Sequence, residues 1–120
     1  CERFPRLKIV FVLFSLFWVP GFLRLLDDRM HQHYEFPGVN ELPSTYFKRQ
    51  MAATYMNEPG VRDFVDTLGA DNVMWSTDFP HPCCNWPNSQ ALVERQFAGF
   101  TEEETHKITW ANGARMYGIS

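Results

Sequence analysis

Three short apolar runs, each followed by a segment of helical periodicity, constrain this chain more than any other feature. They are Leu7–Val12 (LKIVFV), Met51–Met56 (MAATYM) and Val73–Thr77 (VMWST). Near-continuous apolar strands suit a parallel sheet covered on both faces. Strands alternating with helices point to βαβ units, so the expected class is α/β. The first run passes into Trp18–His33, where Trp18, Phe22, Leu25, Leu26 and Met30 recur at helical spacing and Pro20 suits a first turn. Residues 34–43 hold two prolines and a glycine and read as a loop, after which Ser44 is expected to cap a short helix, TYFKRQ.

The second run leads through Glu58-Pro59-Gly60 into Val61–Leu68, with Val61, Phe64, Val65 and Leu68 on one side and Gly69 as the stop. Asp71-Asn72 make a turn before the third run, which ends at Asp78. Residues 79–88 (FPHPCCNWPN) carry three prolines and must be a loop. Asn88 or Ser89 is expected to cap the helix SQALVERQFAGF. Thr101 with Glu104 forms a capping box, opening a last helix that runs to about Tyr117 with Gly118 after it. No internal repeat of fixed period is present, and residues 1–120 read as one domain.

Length sets the next limit. A complete eight-stranded α/β barrel needs roughly 250 residues, and this chain has 120. The net charge of −3 argues against a dedicated nucleic-acid domain, which carries a basic face. Hydrophobic residues at 45% and charged residues at 21% exclude wholesale disorder. The run Ile9–Leu23 follows Arg3, Arg6 and Lys8 and has the layout of a signal anchor. It is shorter than the about 20 apolar residues of a spanning helix and contains Pro20 and Gly21, so a buried strand leading into a buried helix is expected, and no membrane. A membrane anchor over residues 9–26 is the competing reading. Cys1, Cys83 and Cys84 make a poor disulfide framework, which points to a reducing, cytoplasmic compartment. The adjacent pair also lacks the spacing of a zinc site and reads as inert thiols. The chain starts on Cys1 rather than Met, as a processed chain or a piece of a longer one would.

In parallel α/β folds chemistry collects at the carboxyl ends of the strands. Three such ends are legible: Leu13-Phe14-Ser15, Asn57-Glu58 and Asp78-Phe79-Pro80-His81. Only the third joins a carboxylate to an imidazole. An Asp there can ligate a divalent metal or act as a general base, or it can simply cap its own loop. His31-x-His33 has the look of a ligand pair, but residues two apart on a helix diverge, and a helix end favours His for its dipole. His106 lies on a charged helix face and is expected in solvent. Trp18, Trp75, Trp86 and Trp110 are scattered and read as packing residues rather than a stacking platform for bases.

The segments ERFPRLKIVFV, WVPGFLRLLDDR, DNVMWSTDFPHP and KITWANGARMYGI together resemble the amidohydrolase-2 family, the branch that includes the aminocarboxymuconate-semialdehyde decarboxylase-like enzymes. The resemblance runs from Glu2 to Ile119. Its most specific part is WSTDFPHP; the close of the chain also matches at Asn112, Tyr117 and Gly118, with Gly113 in place of the family's alanine. The resemblance implies a partial (β/α)8 TIM barrel, in which the three strands are the sixth, seventh and eighth. It implies hydrolysis or non-oxidative decarboxylation of a small carboxylic acid with a divalent metal, zinc or manganese. Asp78 would ligate or abut that metal and handle a proton, and His81 would line the substrate mouth.

Two departures bear on activity. The family's His-x-His on its first strand and His on its fifth have no counterpart here. The Glu-Gly-Gly or His-Gly-Gly that follows the sixth strand reads Leu13-Phe14-Ser15. Three strands also leave two apolar edges, which template association unless covered. The expectation is a chain inactive alone that pairs with a second copy or with a partner carrying the missing strands. The alternative is a truncated, non-catalytic assembly module.

Overall fold

The computed structural model describes residues 1–13, 15–32 and 37–119. Phe14 of the first strand end and His33 of the histidine pair lie outside the described residues. The elements are β1 (Ile9–Phe11), α1 (Trp18–His31), α2 (Pro43–Gln50), β2 (Met51–Tyr55), α3 (Val61–Leu68), a 3-10 turn (Ala70–Asn72), β3 (Val73–Trp75) and α4 (Ser89–Gln96). The chain closes with α5 (Glu102–His106), a π-helical segment (Lys107–Ala111) and α6 (Asn112–Tyr117).

The three strands form one parallel sheet in the order β1-β2-β3, open and flanked by helices. Val10 pairs with Ala52 and Phe11 with Ala53; Ala53 pairs with Val73 and Tyr55 with Trp75. The strands are shorter than the apolar runs that predict them. Leu7 is consumed in a turn, its amide donating to the Phe4 carbonyl at 3.0 Å. Beyond Phe11 the backbone swings into a left-handed conformation at Leu13 and Ser15, which ends the pairing.

Side chains alternate across a strand, and the two faces of this sheet differ. Ala53, Tyr55 and Val73, with Phe11 and Trp75, face the main core. There they meet Leu16, Val19 and Leu23 from the first βα segment, Phe47 of α2, Val61, Phe64 and Val65 of α3, and Ile108. On the other face Ala52, Met74 and Val10 pack against Met116 of α6.

Three buried amides position the strands. Gln50 donates to the carbonyls of Phe4 and Leu7 at 2.8 and 3.0 Å, fixing the N-terminal segment to the start of β2. Asn72 donates to Lys48 and Met51 at 2.9 and 2.6 Å, seating β3 beside the end of α2. Asn112 donates to Ala70 and Val73 at 2.6 and 2.8 Å, tying the last helix to the entry of β3. Each amide satisfies backbone oxygens that burial would otherwise strand.

Several local expectations change. Helix α2 begins at Pro43, in the first position where its missing N–H costs nothing, so Ser44 lies inside the helix and Leu42 takes the cap position without a side-chain bond. Asn88 takes the cap position of α4 but its side chain makes no capping bond, and α4 stops at Gln96, short of Phe100. The Thr101–Glu104 capping box forms as expected. In α1 the core takes Val19 and Leu23, while Trp18, Phe22 and Leu25 are exposed. Those exposed rings border an apolar groove of about 580 Å³ at the β1 edge, lined also by Phe11, Leu26 and Met51. Among the described residues no helix is long and apolar enough to cross a membrane.

Candidate active site at the end of the third strand

Beyond Trp75 the chain runs straight out of the sheet. The Ser76 amide donates to Tyr55 at 2.9 Å, extending the β2–β3 ladder by one bond. Two residues later Asp78 takes a left-handed backbone, φ +57°, a region that Asp tolerates better than most residues. The loop then folds back on itself. The His81 amide donates to the Asp78 carbonyl at 2.8 Å, the Cys84 amide to the His81 carbonyl at 2.9 Å, and the Asn85 amide to the Thr77 carbonyl at 3.2 Å.

This folding brings three donors together. Asp78 Oδ2 lies 3.6 Å from His81 Nδ1. His81 Nδ1 lies 3.0 Å from Cys83 Sγ. One ligand atom from each of Asp78, His81 and Cys83 falls within 4.8 Å of the others. Their exposures differ: the Asp78 side chain retains 19% of its surface and that of His81 58%. Asp78 Oδ2 itself is buried and has no hydrogen-bond partner among the described residues. A buried carboxylate oxygen without a donor is unfavourable unless a cation, a proton or a bound molecule satisfies it. That orphaned oxygen is the feature of this loop that suits a divalent metal.

The other two strand ends contribute differently. Glu58, after β2, accepts 2.9 Å bonds from the Ser15 hydroxyl and the Leu16 amide, so its carboxylate is spent on holding the loop after β1. The Leu13 amide donates to Thr54 Oγ1 at 3.3 Å, closing that loop onto β2. The Tyr55 hydroxyl is buried without a hydrogen-bond partner among the described residues, and burial, with Glu58 as a lesser influence, pushes its pKa well above the ordinary tyrosine value. Trp75 Nε1 donates to the Met56 carbonyl at 3.0 Å and to Gln96 at 3.2 Å, anchoring α4 to the strand ends.

Of the sequence-derived candidates, Asp78 and His81 therefore meet. His31 is exposed in the last turn of α1 and His106 in the last turn of α5. Cys83 joins them through the turn at His81, a contact that Cys-x-x-Cys spacing does not signal because its partner is the histidine two residues back. The apolar groove beside α1 is lined by none of these groups.

With this geometry in place, the chain can be set beside known proteins. It matches the amidohydrolase family over residues 1–119. The 5-carboxyvanillate decarboxylase of Sphingomonas paucimobilis superimposes with a TM-score of 0.75 at 29% identity, over 99% of this chain and 36% of that one. A dihydroxybenzoic acid decarboxylase of Polaromonas, solved with bound manganese and the inhibitor 2-nitroresorcinol, gives 0.74 at 21% identity, over 98% and 36%. An amidohydrolase of Mycobacterium avium subspecies paratuberculosis gives 0.80 at 19% identity, over 95% and 29%. These are TIM-barrel proteins, and this chain spans about a third of their length. No curated protein matches it.

Proposed function

This chain belongs to the amidohydrolase family, and from that premise we propose that it forms the C-terminal part of a metal-dependent decarboxylase or hydrolase acting on a small carboxylic acid. The observation that carries the reading is the Asp78 carboxylate: it stands at the carboxyl end of β3 with Oδ2 buried, 3.6 Å from His81 Nδ1 and without a hydrogen-bond donor among the described residues. That is where a barrel places its reacting groups. Asp78 would hold the metal, zinc or manganese, which when bound supplies Lewis acidity toward a carboxylate or water. His81, half exposed beside it, would border the substrate, and the exposed Phe79–Trp86 edge-to-face pair suits an aryl carboxylate.

The family's His-x-His and its fifth-strand His have no counterpart in this chain, so the family's catalytic centre is incomplete here. The chain alone is therefore inactive in this reading. The test uses the aryl carboxylates named for the neighbours, dihydroxybenzoate and 5-carboxyvanillate. With manganese added, the chain is expected to release no CO2 but to broaden the ligand's proton resonances, and Asp78→Asn is expected to abolish the broadening. Equal broadening in Asp78→Asn would contradict the assignment.

A second reading, assembly, is favoured by the sheet edges and the α1 surface. β1 and β3 are the outer strands of the described sheet. Trp18 and Phe22 form a tilted ring pair, 5.6 Å between centroids, over the apolar groove beside β1. The occupant that fits is a second copy of this chain or a partner chain carrying the missing strands, because its edge strand would continue the ladder while a helix filled the groove. Light scattering is expected to give a mass above the 14.1 kDa of one chain. A monomer at that mass in dilute buffer would remove the assembly reading without touching Asp78.

A further inference from the structure

We propose that Asp78, His81 and Cys83 together form a zinc-preferring site contained within one loop. The donor set is a carboxylate oxygen, an imidazole nitrogen and a thiol sulfur, drawn from positions i, i+3 and i+5 of the segment after β3. The site shares Asp78 with the proposed function and so rests on that reading for one ligand. Its other two ligands stand on the geometry of this loop.

Zinc binds nitrogen at about 2.0–2.1 Å and thiolate sulfur at about 2.3 Å, so a tetrahedral site holds its ligand atoms roughly 3.3–3.6 Å apart. The observed 3.6 Å from Asp78 Oδ2 to His81 Nδ1 and 3.0 Å from His81 Nδ1 to Cys83 Sγ already bracket that separation. The third pair, Asp78 with Cys83, lies within 4.8 Å, and side-chain rotation would have to close any excess over the tetrahedral separation. The backbone turns that bring the donors together are closed by the amides of His81 and Cys84, so coordination needs no refolding of the loop. The buried oxygen of Asp78 supplies the motive for a cation, and the exposure of His81 and Cys83 supplies its entry path. Cys83 would bind as the thiolate, releasing its proton to solvent. Three protein ligands leave a fourth position for water or a substrate oxygen.

The thiolate decides which metal. Sulfur is a soft donor that favours zinc over manganese, and the general affinity order of divalent metals runs the same way. Manganese is the ion bound in the Polaromonas neighbour, so this loop would give the present chain a different metal preference.

The experiment titrates the reduced chain with zinc, with manganese and with cobalt as a spectroscopic probe, checking each variant for folding by circular dichroism. One zinc per chain is expected, bound at least about tenfold tighter than manganese. Cobalt is expected to give near-ultraviolet thiolate charge-transfer absorption. That absorption should vanish in Cys83→Ser and persist in Cys84→Ser, and His81→Ala should weaken zinc at least about tenfold. No zinc binding, no charge-transfer absorption, or loss of that absorption in Cys84→Ser instead of Cys83→Ser would overturn the proposal. Metal binding lost in Asp78→Asn but unchanged in Cys83→Ser and His81→Ala would also overturn it, while leaving the role of Asp78 intact.

Discussion

Glu58 Oε2 accepts a 2.9 Å hydrogen bond from the hydroxyl of Ser15, 43 residues earlier, and so fastens the end of β1 to the end of β2. The same oxygen takes the amide of Leu16, which is 2% exposed. Glu58→Ala would leave that amide buried without an acceptor and release a loop that turns through left-handed residues at Leu13 and Ser15. The expected loss is about 1–3 kcal/mol in urea denaturation. Glu58→Gln, which keeps an acceptor oxygen, should recover part of it.

Asn112 plays the matching role at the other end of the sheet. It is 3% exposed, and its single amide nitrogen serves the carbonyls of both Ala70 and Val73. Asn112→Ala should cost about 1–3 kcal/mol by chemical denaturation. Asn112→Leu, similar in volume, is expected to cost as much, because two carbonyl oxygens lose their donor. A loss below about 0.5 kcal/mol in both variants would show that other groups satisfy those carbonyls.

The capping box at Thr101 carries a pH dependence. The Arg62 guanidinium, bonded to Glu104 at 2.9 and 3.1 Å, and then the Thr101 amide hold the Glu104 carboxyl down at about 2, against an ordinary value of 4.5. Folding therefore favours the charged form. Its contribution is fully present above pH 4.5 and is lost as pH falls toward 2. Thermal unfolding of Glu104→Gln should show a lower Tm than the parent at pH 7, and the two Tm values should converge near pH 2. A constant gap across that range would exclude Glu104 as the source.

Gly60 stands at the cap position of α3 with φ +88°, and a Cβ placed there would run into the ring of Phe17. Gly60→Ala meets both a backbone penalty and that collision, so a destabilisation of about 1–3 kcal/mol is expected by calorimetry. Pairing it with Phe17→Ala should remove the steric part and leave the backbone part, giving a non-additive cycle.

How much of this was legible in the sequence depends on the range of the interaction. The strand centres at Val10, Ala53 and Met74 follow from apolar runs, and α3 follows from Val61, Phe64, Val65 and Leu68, because both patterns are local. Caps depend on position as well as chemistry. Ser44 has the right chemistry for a cap, but Pro43 before it is better placed to open the helix, and position decides. In α1 tertiary packing overrides the local pattern: Trp18, Phe22 and Leu25 have core-like spacing yet are exposed, the two rings bordering an open groove, while Val19 and Leu23 are buried. Asp78 and His81 were legible because they lie three residues apart at a strand end. Glu58 was not, since its partners are more than 40 residues away and no spacing rule connects them. Cys83 needed the turn at His81 to bring its sulfur onto the imidazole.

In the proposed reading, the buried oxygen of Asp78 makes the end of β3 a cation-binding position. Native mass spectrometry of the reduced chain, after equilibration with zinc and removal of loosely held ions, tests it most directly. One zinc per folded parent chain is expected, and none in Asp78→Asn of equal helical content. Equal zinc occupancy in the two proteins would contradict it.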